Sequence, residues 1–336
     1  MKNITLKDFI NELKEQGLPK DLHITRKAGA FVAISNGKVI KVSEPSMRHC
    51  PLFAMLFKED IITRDSIIDK FNWQIKNLGM FTCHRKISDD KIIVPFGASE
   101  ILMYALKRNE IDCAVVVCEG AGTVITSNAS LIQAIGAYMN GVFYTTLINE
   151  VAQKINQAGG YILSAKKAVL NQYKGVKKAL ELGFKKVAVT IRGDETNILK
   201  KIAGINLEDD EKIFILSICN SGITKRQARV TAGHADLAWS CGSKYIREIV
   251  GPRAIIQLGM KIPVFALSQK GIDLIASYSG EDSFKLKVGS KDKKHYITSN
   301  KYEKGGIKAT MGKFNVYLYE TKELPVITED EPEPLI

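Results

Sequence analysis

The feature of the sequence that most constrains the fold is a short apolar run that ends in a thiol, a carboxylate and two glycines. Residues 114–117 are small or β-branched, and Cys118, Glu119, Gly120 and Gly122 follow them. A continuous apolar run bounded by turn residues predicts a strand that is buried on both faces. Glycines after such a strand permit a sharp turn and a close approach of backbone N–H groups to a ligand. The run therefore predicts an α/β sheet with a site at the carboxyl end of this strand.

Two later segments repeat this pattern. The strand predicted over 212–218 runs into Cys219, and the strand predicted over 235–239 runs into Ser240 and Cys241. Stretches with helical periodicity separate the predicted strands, which is typical of βαβ units. We therefore predict an α/β fold with a mostly parallel sheet and flanking helices.

The chain divides into four predicted parts. Residues 1–45 form a helix and a hairpin, the latter indicated by an Asn-Gly pair between two apolar runs. Residues 46–279 form the α/β core, and residues 280–322, rich in lysine and glycine, form a small β appendage. Residues 323–336 are acidic and proline-rich, a composition that predicts a disordered tail.

Composition narrows the classes of partner. The chain has 336 residues with a net charge of +12, but only ten of its 48 basic residues are arginine. Phosphate and base recognition favour arginine, so the sequence argues against a nucleic-acid partner. No apolar run reaches the ~20 residues that a membrane span needs, and the amphipathic N-terminal segment lacks a signal-peptide core. We expect a cytoplasmic protein.

Six cysteines are present, and a cytoplasmic setting argues against disulfides between them. They are Cys50, Cys83, Cys113, Cys118, Cys219 and Cys241. Packing, metal ligation and catalysis remain open for these thiols. Cys113 lies early in its predicted strand, and we assign it to packing.

One interpretation is a thiolate-held metal centre. Three of the cysteines end strands that would open on one edge of a parallel sheet, and two lie in loops beside a histidine. Thiolates that meet there would suit an iron–sulfur cluster, or zinc. The predicted ligands are Cys50, Cys83, Cys118 and Cys241, with Cys219 as a reserve ligand. The alternative is that each thiol is a small buried hydrophobic side chain.

A second interpretation is a thiol-dependent enzyme that acts on a small phosphorylated or carboxylated substrate at the same sheet edge. Cys241 precedes a predicted helix, whose N-terminus would lower a thiol pKa, so it is the candidate nucleophile. Glu119 is the candidate acid or base. Glycine-containing turns at strand ends would hold the anionic group. The residues predicted for this role are Ser99, Gly120, Gly122, Asn220, Ser221, Ser243, Lys244 and Arg247.

Several segments resemble the methanogenesis marker protein 8 family. They are residues 48–53 (RHCPLF), 118–124 (CEGAGTV), 175–183 (GVKKALELG), 240–249 (SCGSKYIREI) and 261–266 (KIPVFA). The family is named for its occurrence alongside methyl-coenzyme M reductase in methanogens. The resemblance implies an anaerobic cytosolic accessory protein whose partners are that enzyme or its maturation factors. It also implies a role in maturing that enzyme or its nickel cofactor.

Overall fold

A computed structural model describes most of the chain, namely residues 4–279, 293–299, 306–328 and 330–336. The rest of the predicted β appendage, residues 280–292 and 300–305, lies outside these described residues. No helix in the described part of the chain combines the length and the apolar character that crossing a membrane requires.

Ten α-helices lie in the described residues, together with a π-helical turn at Ile246–Val250 and a 3₁₀ turn at Gly251–Arg253. The helices are α1 (Leu6–Glu15), α2 (Pro51–Phe57), α3 (Arg64–Leu78), α4 (Ala98–Lys107), α5 (Ala129–Gly136), α6 (Asn149–Gln157), α7 (Gln172–Glu181), α8 (Thr196–Ala203), α9 (Lys225–His234) and α10 (Gln269–Ser279).

The described strands are β1 (His23–Lys27), β2 (Ala30–Ser35), β3 (Lys38–Val42), β4 (Cys113–Cys118), β5 (Gly122–Thr126), β6 (Val142–Thr145), β7 (Tyr161–Ile162), β8 (Lys186–Arg192), β9 (Lys212–Ile218), β10 (Leu237–Trp239), β11 (Ile256–Leu258), β12 (Val264–Ala266), β13 (Lys294–Thr298), β14 (Ile307–Met311) and β15 (Phe314–Thr321).

Local sequence explains where several helices begin and end. Thr63 caps α3, because its hydroxyl accepts the backbone N–H of Ser66 at 3.1 Å, and the Ser66 hydroxyl accepts the N–H of Thr63 in return. Gly79 ends the same helix in the left-handed conformation with a φ of 66°. Helix α1 begins with a similar capping box, in which the Thr5 hydroxyl accepts the N–H of Asp8 and the Asp8 carboxylate accepts the N–H of Thr5.

The main sheet contains eleven strands in the order β14-β15-β13-β11-β12-β10-β9-β8-β4-β5-β7. The α/β class is confirmed, but the prediction of a mostly parallel sheet is wrong. Strands β10, β9, β8 and β4 are parallel, as are β11 and β13. The other six pairs described in this sheet are antiparallel. The sheet is therefore mixed: four adjacent parallel strands lie between flanks in which every described pair except β11 and β13 is antiparallel.

The turn after β4 shows why the parallel prediction failed. The chain reverses through Glu119, Gly120 and Ala121, and β5 returns antiparallel to β4. Gly120 and Gly122 have φ values of 76° and 83°, which side-chain-bearing residues rarely adopt. A Cβ at Gly122 would also lie 2.6 Å from the backbone nitrogen of Val169. Apolar periodicity identifies a buried strand but carries no information about its direction, which the turn decides.

A second sheet, β3-β2-β1-β6, is antiparallel throughout. Helix α1 covers one face, where the rings of Phe9 and Phe31 have centroids 5.7 Å apart. The other face carries Val32 and packs with Phe53 and Phe71 from the α2 and α3 regions. The end of β1 consequently faces the loop before α2, next to the edge of the main sheet.

Candidate functional site

A cleft of about 410 Å³ opens at the carboxyl ends of the four parallel strands. The residues that line it include Val117 at the end of β4, Arg192 at the end of β8, Ile218 at the end of β9 and Trp239 at the end of β10. Its volume lies within the range of small-molecule sites, which is roughly 300–1,000 Å³. The position agrees with the general rule that open α/β sheets bind ligands at this edge.

Apolar side chains form most of the cleft wall. Leu52 and Met55 of α2 face Phe96, Ile132 and Met260 from the main-sheet side. Met55 is exposed, although it belongs to this apolar wall. A wall of this kind excludes water and strengthens any charge interaction inside the cleft.

Cys219 and Cys241 occupy similar positions after adjacent parallel strands. Cys219 directly follows β9, and Cys241 lies two residues after the end of β10. Both line the cleft and both are half-buried. Their φ values of 55° and 48° are left-handed, which costs on the order of 1–3 kcal/mol for a residue with a side chain. Strained backbone of this kind persists only where surrounding contacts hold it.

Asn220 provides part of that restraint. Its side-chain amide donates to the carbonyl oxygens of Ser217 at 3.0 Å and of Trp239 at 2.7 Å. Its amide oxygen accepts the Ser217 hydroxyl at 3.0 Å. Because these bonds join the ends of β9 and β10, the fully buried Asn220 sets the relative positions of the two cysteine loops.

Burial shifts the thiols of Cys219 and Cys241 towards their protonated forms. Burial, with a smaller contribution from charge repulsion by Cys241, raises the pKa of Cys219 to about 12. Burial also raises the pKa of Cys241, whereas hydrogen bonds from the backbone of Asn220 and Cys219 act in the opposite direction. Cys50 raises the pKa of Cys241 through charge repulsion, so three thiols share one electrostatic neighbourhood.

Lys27, at the end of β1, is the cleft residue that sequence reasoning missed. It lines the cleft, and burial lowers the pKa of its ammonium group, while Cys50 and Cys219 act in the opposite direction. Its ammonium group lies 5.7 Å from the ring centre of Phe53 and 5.3 Å from that of Phe57. Within the described residues, no carboxylate forms an ion pair with Lys27. The only sequence signal that could have indicated Lys27 is the short alternating segment that it ends, directly before an Ala-Gly turn.

Arg192 also lines the cleft, but its guanidinium already has partners. Its Nε lies 2.5 Å from Asp194, and its Nη1 donates to the carbonyl oxygen of Val142 at 2.6 Å. Glu195 lies 3.7 Å from its Nη2. Lys27 is therefore the better placed of these two cations to meet an anionic ligand.

The structure places Cys118 and Glu119 in the interior, outside the set of residues that line the cleft. The Glu119 carboxylate lies 2.5 Å from the Nε of Arg85, and both side chains are almost fully buried. Burial raises the pKa of Cys118 well above its usual value, and the Glu119 charge adds to this effect. Cys83 lies in another loop, where its carbonyl oxygen accepts the Lys154 ammonium at 2.8 Å. The five predicted metal ligands are thus not brought to one point.

The residues predicted to bind an anion mostly serve local hydrogen bonds. Ser99 lines the cleft and donates to the Glu100 carboxylate at 3.0 Å. The backbone N–H of Gly120 donates to Thr145 at 2.8 Å. The hydroxyl of Ser221 accepts the N–H of Gly242 at 3.0 Å.

The last three predicted anion-binding residues follow Cys241 in the sequence. The hydroxyl of Ser243 accepts the N–H of Ile246 at 3.3 Å. Lys244 is exposed and pairs with Glu248 at 3.7 Å. Arg247 is fully buried and donates to two carbonyl oxygens. Its guanidinium is therefore committed to the fold.

Among the described residues, no group of three histidine, cysteine, aspartate or glutamate side chains lies in an arrangement that could hold a metal ion. The arrangement in which these cysteines would act as ligands stays a prediction.

The fold and the cleft define an α/β protein with a mixed sheet and an apolar cleft lined by two cysteines and a lysine, which has no carboxylate partner among the described residues. The chain belongs to the family described as "uncharacterized protein conserved in archaea (DUF2099)", whose family model matches residues 23–278. It is 42% identical over 257 residues to the uncharacterized protein MJ0054 of Methanocaldococcus jannaschii, an alignment that covers 76% of this chain and 89% of that protein.

Proposed function

We propose that the cleft binds a small molecule with an apolar body and a carboxylate or phosphate group, and that the thiols of Cys219 and Cys241 act on it. The observation that carries this proposal is Lys27, a half-buried cation without a carboxylate partner in the described residues, which lines an apolar cleft together with Cys219 and Cys241. Partial burial of a charge without a counter-ion costs free energy, and an anionic ligand would offset that cost by pairing with it.

The same neighbourhood supports a route to a reactive thiolate. Burial shifts Lys27 towards its neutral amine and the cysteines towards their protonated thiols. A neutral Lys27 amine can accept the proton of Cys219, the cleft thiol that acts on its pKa, and the resulting ammonium would pair with the anionic group of the ligand. Backbone N–H groups of Asn220 and Cys219 would stabilise the Cys241 thiolate, which makes Cys241 the proposed nucleophile.

The test of this proposal uses anilinonaphthalene sulfonate, a fluorescent probe with an apolar body and one anionic group. We expect Lys27→Met to weaken probe binding by about 10- to 100-fold, because a charge-assisted contact of this kind contributes roughly 1.5–3 kcal/mol. The matched control is Lys38→Met on the exposed face of β3, which should bind as tightly as the unchanged protein. Fluorescence titration gives the dissociation constants.

Alkylation supplies the second half of this test. With the probe bound, iodoacetamide should modify Cys219 and Cys241 more slowly, whereas the half-buried Cys83 outside the cleft should react at its original rate. Mass spectrometry of the peptides gives the three rates separately. Equal probe affinity in the two lysine variants, or no protection of either cleft thiol, would refute the proposal.

A cysteine-held metal centre is the second candidate, and the observation that favours it is the shared neighbourhood of Cys50, Cys219 and Cys241. We expect protein purified without oxygen to contain iron and sulfide, or zinc, and Cys241→Ser to lose it. Cys83→Ser is the control, because the structure places that thiol in a different loop. Metal content that falls equally in both variants, or is absent from the unchanged protein, would argue against this ligand set.

The resemblance to methanogenesis marker protein 8 supports a narrower proposal about the setting. An anaerobic cytoplasmic protein with this cleft could supply or modify a small anionic precursor during maturation of methyl-coenzyme M reductase or its nickel cofactor. The similar segments at 48–53 and 240–249 include two of the cysteines in the shared neighbourhood, so the family resemblance and the geometry concern the same region.

A further inference from the structure

Residues 330–336, called here the strap, contact three loops that lie far apart in the sequence. The first loop precedes Cys50, the second follows Cys219 and the third follows Cys241. These are the loops whose thiols share one electrostatic neighbourhood at the cleft. The strap is therefore the segment that joins the three cysteine loops to one another.

The first half of the strap pairs with the loop before Cys50. The N–H of Glu333 donates to the carbonyl oxygen of His49 at 3.0 Å, and the N–H of His49 donates back to Glu333 at 3.0 Å. Asp330 forms ion pairs with Lys261 and, at 3.5 Å, with His49. The pKa of Asp330 is lowered by the hydrogen bond from Lys261 and by His49, which indicates that these contacts favour the carboxylate.

The end of the strap joins the other two loops. The N–H of Ile336 donates to the carbonyl oxygen of Gly242 at 2.8 Å. The main-chain oxygen of Ile336 accepts N–H groups from Gly222 at 3.3 Å and from Lys244 at 3.4 Å. Each partner lies within three residues of Cys219 or Cys241. Two of the turns in which we predicted an anion site thus donate to the main-chain oxygen of Ile336.

The buried Arg247 binds the strap at Glu331. Its guanidinium lies 3.4 Å from the Glu331 carboxylate and donates to the carbonyl oxygens of Val326 at 3.0 Å and Lys261 at 2.8 Å. Because Arg247 is fully buried, its contact with Glu331 holds the strap against the core, in addition to the contacts of the strap with the loops.

We infer that the strap is a positioning element, which holds the three cysteine loops together at the cleft and limits access to their thiols. This inference rests on the proposed function only in treating the cleft as the working site. The left-handed residues Cys219 and Cys241 need external restraint, and the strap supplies hydrogen bonds to a residue close to each of them. When the strap dissociates, these loops should open locally while the sheet stays folded.

The test compares alkylation rates in ligand-free protein. The strap variant combines Asp330→Asn, which removes the ion pairs, with Ile336→Pro, which removes the N–H that donates to Gly242. We expect iodoacetamide to modify Cys219 and Cys241 about fivefold faster or more, since lost bonds of this strength shift a local opening equilibrium by that factor. Cys83 should react at an unchanged rate.

The matched control is Glu323→Gln, which removes one negative charge from an exposed position in the same tail outside the strap. Equal thiol rates in the strap variant and this control would overturn the inference. Faster modification of the fully buried Cys113 would report global unfolding. In that case Asp330→Asn alone is compared with Glu323→Gln, and the same two thiol rates decide. No ligand is used, so failure here leaves the probe-binding result unaffected.

Discussion

Replacing Arg85 with methionine should lower the free energy of unfolding by about 3–5 kcal/mol, because the change leaves the buried Glu119 carboxylate without a cation. The Nε of Arg85 lies 2.5 Å from that carboxylate. Its Nη2 also donates to the carbonyl oxygens of Ala134 at 2.9 Å and Ile135 at 3.3 Å, which would lose a donor. Urea denaturation followed by circular dichroism measures the difference.

Arg64→Met is the matched control for this prediction. Arg64 also pairs with a carboxylate, Glu44 at 3.2 Å, but both side chains are more than half exposed. An exposed pair contributes ~1 kcal/mol or less, so this variant should be nearly as stable as the unchanged protein. The double variant Arg85→Met/Glu119→Gln should regain part of the loss, because it removes the unpaired charge. A double variant less stable than Arg85→Met would contradict this explanation.

Replacing Asn220 with alanine should cost about 2–4 kcal/mol, since the carbonyl oxygens of Ser217 and Trp239 would each lose a donor in the interior. These bonds are 3.0 Å and 2.7 Å long and join the ends of β9 and β10. The same change should also weaken probe binding in the cleft, because Cys219 and Cys241 would lose the restraint between their loops. Thermal denaturation and probe titration together measure both effects.

Asn77→Ala supplies the comparison. The Asn77 amide also donates to a carbonyl oxygen, that of Trp73 at 2.8 Å, but it lies on an exposed helix surface where water can replace it. We expect a loss of ~0.5 kcal/mol or less and no change in probe affinity. If the two asparagine variants lost the same stability, Asn220 would not be the link between the strands that its buried contacts indicate.

Local sequence was enough to predict the α/β class and the location of two cysteines. The apolar runs before Cys219 and Cys241 are buried strands, β9 and β10, and both thiols line the cleft at the carboxyl ends of the parallel strands. This succeeded because burial on both faces requires a continuous apolar run, which is visible without knowledge of the partners. The helix boundaries at Thr63 and Gly79 were likewise determined by neighbouring residues.

The direction of strands and the choice of partners were decided by tertiary structure. The run that ends at Cys118 looks like those that end at Cys219 and Cys241, yet a tight turn reverses the chain after it. Glu119 then forms an ion pair with Arg85 in the interior, and no local sequence pattern predicts that pair. A strand end is equally apolar whether the next residues open into a cleft or fold back into the core.

Lys27 and the strap show the same limit. Lys27 belongs to the second sheet and reaches the cleft only because β1 ends beside the loop before α2. Residues 330–336 have the acidic, proline-rich composition that predicted a disordered tail, and they nevertheless lie in hydrogen bonds with loops near His49, Gly222 and Gly242. Composition reports how much apolar surface a segment can bury by itself. It does not report the backbone donors and acceptors that distant loops present once they have folded, and in this protein those groups determine where the strap lies.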